Sequence, residues 1–249
     1  MAKYIIGDIH GGFKALRFLF ERERFKPEDS FVFLGDYVDG WSESRQVINF
    51  LIRLNKNYKC VFLKGNHDEL FYDYLKSGKF NPIWLESGGV STIESYQGIT
   101  NIEKKKHLVF FENLKDYHLD SENNLFVHAG YTNSKGVQFE YFKRMFFWDR
   151  TLWEMVLALD ETILIEDLCY PSRLKNYNQI FVGHNATTKY GFDKPFHKQN
   201  FWNLDTGAGY DGRLTILELE SKSFKQSPKL KDLYPNECGR NKNTTLKVK

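Results

Sequence analysis

Five times in this chain a short apolar run stops abruptly and a cluster of Gly, Asp, Asn and His follows at once. KYIIGDIHG does so at Lys3–Gly11, FVFLGDYVDG at Phe31–Gly40, CVFLKGNHD at Cys60–Asp68, NLFVHAG at Asn124–Gly130 and IFVGHN at Ile180–Asn185. The runs are rich in Ile, Val, Leu and Phe and lack a 3.6-residue period, so they read as strands buried on both faces. Helical patterns fall at Phe13–Phe25, Ser42–Asn55, Glu69–Lys76 and Trp148–Leu159, and Gly78 stands where a C-cap glycine belongs. Strand–helix alternation in the first third predicts βαβ units and a parallel sheet, an α/β fold. Ligands of such sheets bind beyond the carboxyl ends of the strands, which is where all five polar clusters sit.

The second half reads as richer in strands. Tyr117–Asp120 and Leu125–His128 flank a hairpin turn at Ser121–Asn124, and Asn200–Asp205 with Leu214–Glu220 reads as a second pair. Gly88-Gly89 and Ala129–Gln138 read as loops. With no internal repeat and no Pro-rich linker, one domain is expected over residues 1–221, followed by a tail at 222–249. The formal net charge of +3 hides a division there. From Lys222 onward eight Lys/Arg face two Asp/Glu, while the body is mildly acidic. Such a basic terminus is expected to be solvated and mobile.

A hydrophobic fraction of 41% belongs to a globular protein and argues against a disordered chain. Cys60, Cys169 and Cys238 are odd in number and widely spaced, so reduced thiols and a cytoplasmic location are expected, with no disulfide framework. No signal peptide is expected, and no apolar run approaches the ~20 residues of a membrane span. Neither a membrane nor a nucleic acid is an expected partner.

Taken singly, the polar residues have bland explanations: Asp and Asn favour turns, and a histidine at a strand end is most often structural. Their joint placement is the informative feature. Asp8, His10, Asp36, Asn66, His67, His128 and His184 all lie at strand tips that the fold brings together. Carboxylate, imidazole and one amide oxygen, without thiolate, suit divalent ions such as Mn2+, Fe2+ or Zn2+. The candidate ligands Asp8, His10, Asp36, Asn66, His128 and His184 are too many for one catalytic ion with an open position. They suit two ions sharing a carboxylate, a clamp for displacement at phosphorus.

GDIHG, GDYVDG, GNHD, HAG and GH, in this order, resemble the metal-dependent phosphoprotein phosphatases of the calcineurin-like metallophosphoesterases. The small bacterial and phage serine/threonine phosphatases and the diadenosine tetraphosphatases lie near. The likeness spans about residues 3–220 and includes WDR at Trp148–Arg150 and LDTGAGYDGRLTI at Leu204–Ile216. It implies a central β-sandwich of mixed sheets flanked by helices. It also implies two divalent ions, Mn2+ foremost, with Fe2+, Zn2+ or Ni2+ also suited. Asp8, His10 and Asp36 would hold one ion; Asp36, Asn66, His128 and His184 would hold the other. The implied reaction is direct attack of a metal-bridging hydroxide on a phosphomonoester, with His67 as general acid and Asp39 as its partner. A carboxylate stabilises an imidazolium and fixes its orientation for proton donation. Arg150, with Asn66, would bind phosphate.

The implied substrate is a phosphorylated protein, foremost at serine or threonine with tyrosine as a further site, or a small phosphoester. Symmetrical diadenosine tetraphosphate hydrolysis is the alternative, for which Trp41 is a candidate base-stacking ring. A non-catalytic binding scaffold is disfavoured, because every metal position and the general acid are present. Gly183-His184-Asn185-Ala186 lacks the second histidine that many other calcineurin-like phosphoesterases carry two residues after the last metal histidine. Asp39 is followed by Gly40-Trp41, where the resemblance leads one to expect Arg-Gly and a phosphate contact. Arg45, at the start of the next helix, is the expected substitute. Asn81–Gly98 and Tyr131–Phe147 flank the strand tips and are candidates for reading the substrate.

Overall fold

In the computed structural model, which describes residues 1–241, Ile5 and Ile6 enter two different cores from opposite faces of one sheet. That alternation generates the layers of the molecule. The described residues form ten strands: β1 (Lys3–Ile6), β2 (Ser30–Phe33), β3 (Lys59–Phe62), β4 (Tyr117–Leu119), β5 (Leu125–Val127), β6 (Ile180–Val182), β7 (Phe196–Lys198), β8 (Phe201–Asn203), β9 (Thr215–Glu218) and β10 (Phe224–Gln226). The first sheet has the order β10-β9-β1-β2-β3 and the second β4-β5-β6-β8-β7. Within them β1, β2 and β3 are parallel, as are β5, β6 and β8, while the remaining pairs are antiparallel. Both sheets are therefore mixed.

Ile5, Val32 and Leu217 of the first sheet meet Phe126 and Phe181 of the second in a shared inner core. Ile6, Phe31 and Phe33 face outward and pack under two helices, α1 (Phe13–Arg22) through Ala15, Leu16 and Leu19, and α2 (Ser44–Leu54) through Val47, Ile48 and Leu51. Leu125, Val127, Ile180 and Val182 face outward from the second sheet, against Leu152, Trp153 and Val156 of the helix Thr151–Ala158. Two mixed sheets packed face to face with helices outside is the sandwich that the motifs implied. The runs at β2, β5 and β6 are buried as expected, whereas β3 is an edge strand and only partly covered.

Several local readings needed revision. Asn200–Asp205 and Leu214–Glu220 do not pair: β8 joins the second sheet and β9 the first. The helix expected over Trp148–Leu159 is broken. Asp149 accepts hydrogen bonds from the Thr151 and Leu152 amides (3.0 and 2.9 Å), as an N-cap side chain does, and so starts a new helix at Thr151. Gly88-Gly89 is not an extended loop but a kink between two short helical pieces, with Gly88 at a non-helical φ of 111°.

The tail expected to be mobile from residue 222 is packed through residue 241; 242–249 lie outside the described residues. Within it β10 hydrogen-bonds to β9, and Leu230 and Tyr234 are buried in the outer core of the first sheet. Tyr234 stacks on Trp41 with ring centroids 5.1 Å apart. A charge count had concealed this segment, because its few apolar residues are spread thinly among lysines. No helix among the described residues is long and apolar enough to cross a membrane.

Candidate metal centre

Each parallel strand ends in a sharp reversal that throws a polar side chain into one cleft. Asp8 and His10 follow β1, Asp36 and Asp39 follow β2, His128 follows β5 and His184 follows β6. Asn66 and His67 open the helix α3 (Asn66–Ser77) just beyond β3. The reversals are tight enough that His10, Asp36, Asp39 and His184 all adopt positive φ, between 50° and 70°. Non-glycine residues hold that conformation only when their surroundings impose it, and such residues cluster at functional sites. Two glycines permit the closest approaches: a Cβ on Gly65 would lie 2.0 Å from Asp36 Oδ1, and one on Gly183 2.0 Å from Asp8 Oδ1.

Hydrogen bonds to backbone carbonyls fix which nitrogen His128 and His10 present. His128 Nδ1–H donates to the Leu34 carbonyl (2.8 Å), which leaves Nε2 as the free lone pair 3.5 Å from Asp36 Oδ1. His10 Nδ1–H donates to the Val38 and Asp39 carbonyls (3.1 Å each), and its Nε2 lies 3.5 Å from Asp36 Oδ2. His184 Nδ1 lies 3.0 Å from Asn66 Oδ1. Carbonyl-oriented imidazoles of this kind are typical metal ligands. Two groups that can hold a cation result, His10–Asp36–His67 and Asp36–His128–His184, and Asp36 belongs to both. His67 is otherwise engaged: its Nδ1 is 2.6 Å from Asp39 Oδ2, so only Nε2 is open to a second partner.

The electrostatics call for added positive charge. Asp8, Asp36, Asp68 and Asp205 are all buried here. Burial pushes Asp8 well above the usual carboxylate range, and nearby Asp205 adds to it. Asp205 itself is raised to about 6 by burial. Burial also opposes charge on Asp36, but His128, His67 and His10 outweigh it and hold this carboxyl well below the ordinary value. Burial works against charge on His128 too, yet Asp36 lifts it to about 10. A pair that binds a proton so tightly favours a cation between its members. Asp8 Oδ1, His128 Nε2 and His184 Nε2 are buried without any hydrogen-bond partner. Buried polar atoms are costly to leave unpaired, and a divalent ion, displacing any proton they hold, would satisfy all three. The donor set thus fits two ions sharing one carboxylate.

Asp39 is fully buried and saturated: beyond His67 it accepts from Trp84 Nε1 (2.6 Å) and Thr92 Oγ1 (2.7 Å). It does not cap α2 through its side chain. The stretch 81–98 therefore serves Asp39 from behind, whereas no residue of 131–147 lines the cavity at the metal residues. Arg150 lines that cavity beside Asp36, Asn66, His67 and His184. Arg45 does not. Its guanidinium is forked onto Glu103, with Nε 2.8 Å from Oε1, and the expectation that it binds phosphate is withdrawn. Trp41 is also removed from the candidates: it is fully buried, and its Nε1 donates to the Ala208 carbonyl (2.6 Å).

Three residues escaped the sequence reading. Asp68 lies inside the GNHD motif and accepts from the amides of Asp36, Tyr37 and Gly65 (2.8–2.9 Å), tying two ligand loops together. Asp205 lies inside LDTGAG and borders Asp8. Both stood within recognised motifs, so the signal was present. Arg240 reaches the site from the C-terminal segment and had no motif to mark it.

Known proteins share this fold. A crystal structure provisionally described as a diadenosine tetraphosphatase superposes with a TM-score of 0.59 at 20% identity, covering 92% of this chain and 93% of that one. A serine/threonine phosphatase from Saccharomyces cerevisiae with similarity to human phosphatase PP5 gives 0.58 at 16% identity, covering 92% and 80%. The cold-active protein-tyrosine phosphatase of a psychrophilic Shewanella gives 0.51 at 14%, covering 91% and 80%. At such identities the likeness establishes the shared fold. Residues 1–210 match the calcineurin-like phosphoesterase family, and with its His/Asp metal site this chain belongs to that family of hydrolases.

Proposed function

We propose that this protein is a dinuclear metal-dependent phosphatase acting on phosphomonoesters, foremost phosphoserine and phosphothreonine in proteins. The observation that carries the reading is the position of Asp36, whose two carboxylate oxygens face His10 Nε2 and His128 Nε2 at 3.5 Å each. Asp8, His10 and Asp36 would hold one ion, and Asp36, Asn66, His128 and His184 the other. Mn2+ is the ion proposed, on the strength of a mixed carboxylate, imidazole and amide donor set without thiolate. When bound, two such ions activate a water for attack and neutralise charge on the phosphoryl group.

The remaining work belongs to the chain's own residues. His67 donates a proton from Nε2 to the leaving oxygen, and Asp39 at Nδ1 orients the ring. Arg150 offers a forked guanidinium at the mouth of the cleft, suited to phosphoryl oxygens. Asp68 and the buried amides it binds keep Asp36 in place before any ligand arrives.

One observation favours a second reading, hydrolysis of symmetrical diadenosine tetraphosphate. A groove of 620 Å3 adjoins the metal cavity and shares Lys189, Tyr210 and Arg240 with it, which gives room for a substrate larger than a phosphorylated side chain. Metal-stripped protein should be assayed with and without Mn2+ on p-nitrophenyl phosphate, phosphoserine and phosphotyrosine peptides, and diadenosine tetraphosphate. The proposal expects Mn2+-dependent release of phosphate, fastest from the phosphoserine peptide. Preference for the dinucleotide would transfer the assignment to the second reading, and inactivity on all four would refute both.

A further inference from the structure

Gly40 lies at φ 116°, and a Cβ built there would come within 3.1 Å of Arg240 Cγ. A Cβ on Gly88 or Gly209 would crowd the same side chain at 3.2 and 3.1 Å, so three glycines together leave the space through which Arg240, two hundred residues beyond Gly40, enters the cleft. Its guanidinium is held on several sides. The Arg240 amide donates to the Gly209 carbonyl (2.8 Å) and its Nε to the Ser87 carbonyl (3.2 Å), while the guanidinium lies over the Tyr210 ring, 5.1 Å from its centroid. NH1 donates to His10 Nε2 at 3.0 Å. Among the described residues no carboxylate forms an ion pair with Arg240 within 4.0 Å, unlike Arg45, Arg144 and Arg173. This positioned guanidinium, with no such carboxylate in hydrogen-bond reach and only a longer-range field on Asp205, lines the same cavity as Arg150 and His67 and can form a charge-assisted pair.

We infer that Arg240 is a substrate-binding residue that clamps the phosphoryl group opposite Arg150, delivered from the C-terminal segment through the gap at Gly40. The inference rests on the phosphatase reading. His10 Nε2, which NH1 now contacts, would be the atom that holds a cation, and the Arg240 N–H would then be available to an oxyanion. Gly40, Gly88 and Gly209 clear the path and the arginine fills it. The packing of Leu230 and Tyr234 against the body sets the register at which Arg240 arrives.

The test is Arg240→Ala beside Arg240→Lys, with thermal melts to verify folding. Two quantities are read by calorimetry: Mn2+ binding to metal-stripped protein, and inorganic phosphate binding to Mn2+-loaded protein. The alanine variant should bind Mn2+ no more weakly than wild type, yet bind inorganic phosphate about 10- to 100-fold more weakly. Its KM for p-nitrophenyl phosphate should rise in step with little change in kcat, and the lysine variant should fall between. Unchanged phosphate affinity in the alanine variant overturns the inference, whatever happens to Mn2+; tighter Mn2+ binding with unchanged phosphate would mark Arg240 as a competitor of the metal. Wild type that neither binds phosphate nor hydrolyses any ester refutes the phosphatase reading itself. Wild type that does both while Arg240→Ala matches it refutes only the role of Arg240.

Discussion

Asp39 Oδ2 lies 2.6 Å from His67 Nδ1, and the same oxygen accepts from Trp84 Nε1 at 2.6 Å. Trp84 and His67 are thereby locked to one carboxylate oxygen, and the ring of His67 cannot turn without breaking a buried charge-assisted bond. His67→Gln should retain both metal ions and lose about 10²–10⁴-fold in kcat on an alkyl phosphate, the usual weight of a general acid. The loss should be much smaller on p-nitrophenyl phosphate, whose leaving group needs less protonation. Steady-state kinetics on the two esters check this; equal losses on both would show that His67 has another task.

Arg45 is expected to matter for stability and not for substrate. Its fork onto Glu103 bridges α2 to the helix Asn101–Glu112, and Asn49 Nδ2 donates to the same carboxylate at 2.7 Å. Arg45→Met should lower unfolding free energy by about 1–3 kcal/mol, because it strands a partly buried carboxylate. KM for a phosphomonoester should stay within twofold of wild type. Urea unfolding and kinetics on the same preparation decide it; a several-fold rise in KM would return Arg45 to the site.

The placement of the candidate metal residues was legible because it coincides with local sequence. Each candidate follows its strand within a few residues, so apolar runs and polar tips indicate where Asp8, Asp36, Asn66, His128 and His184 stand. Arg45, Trp41 and Arg240 were misjudged or missed because their roles depend on contacts between distant segments. Arg45 meets Glu103 across 58 residues, Trp41 meets Ala208 across 167, and Arg240 meets His10 across 230. Periodicity carries no information at such separations. The partners of β8 and β9 illustrate the same point: two strands joined by a short glycine-rich turn looked like a hairpin, but each found a stronger parallel or antiparallel neighbour in its own sheet.

Acid should loosen the packing of α2 against Asn101–Glu112 in two stages. His107 is buried against Tyr96, its Nδ1 2.8 Å from the phenolic oxygen, and burial lowers its pKa to about 4. The Arg45 hydrogen bond draws Glu103 down to about 2. Both folded-state values lie below those of the unfolded chain, about 6.5 for His and 4.3 for Glu. The unfolded state therefore binds more protons, and stability is full above the unfolded values. It falls first between about pH 6.5 and 4 as the His107 contribution fades, then between about 4.3 and 2 for Glu103. Denaturation midpoints measured across pH 7 to 4 should decline less steeply in His107→Gln than in wild type; parallel slopes would assign the acid sensitivity elsewhere.

Removing divalent ions should destabilise the fold itself. Asp8 Oδ1, His128 Nε2 and His184 Nε2 are buried without a hydrogen-bond partner, and Asp8 meets Asp205 in a buried carboxylate cluster. An ion that binds only the folded chain stabilises it by about 2.7 kcal/mol per site at a hundredfold excess over Kd. Two sites should raise Tm by several degrees or more when Mn2+ is added to metal-stripped protein, and a chelator should reverse the gain. Asp36→Asn, which weakens the shared ligand, should lose most of the response, whereas Arg45→Met should keep it in full. Calorimetric titration should give close to two Mn2+ per chain for wild type. One ion per chain, or a Tm indifferent to Mn2+, would mean that the two groups meeting at Asp36 do not form a dinuclear centre.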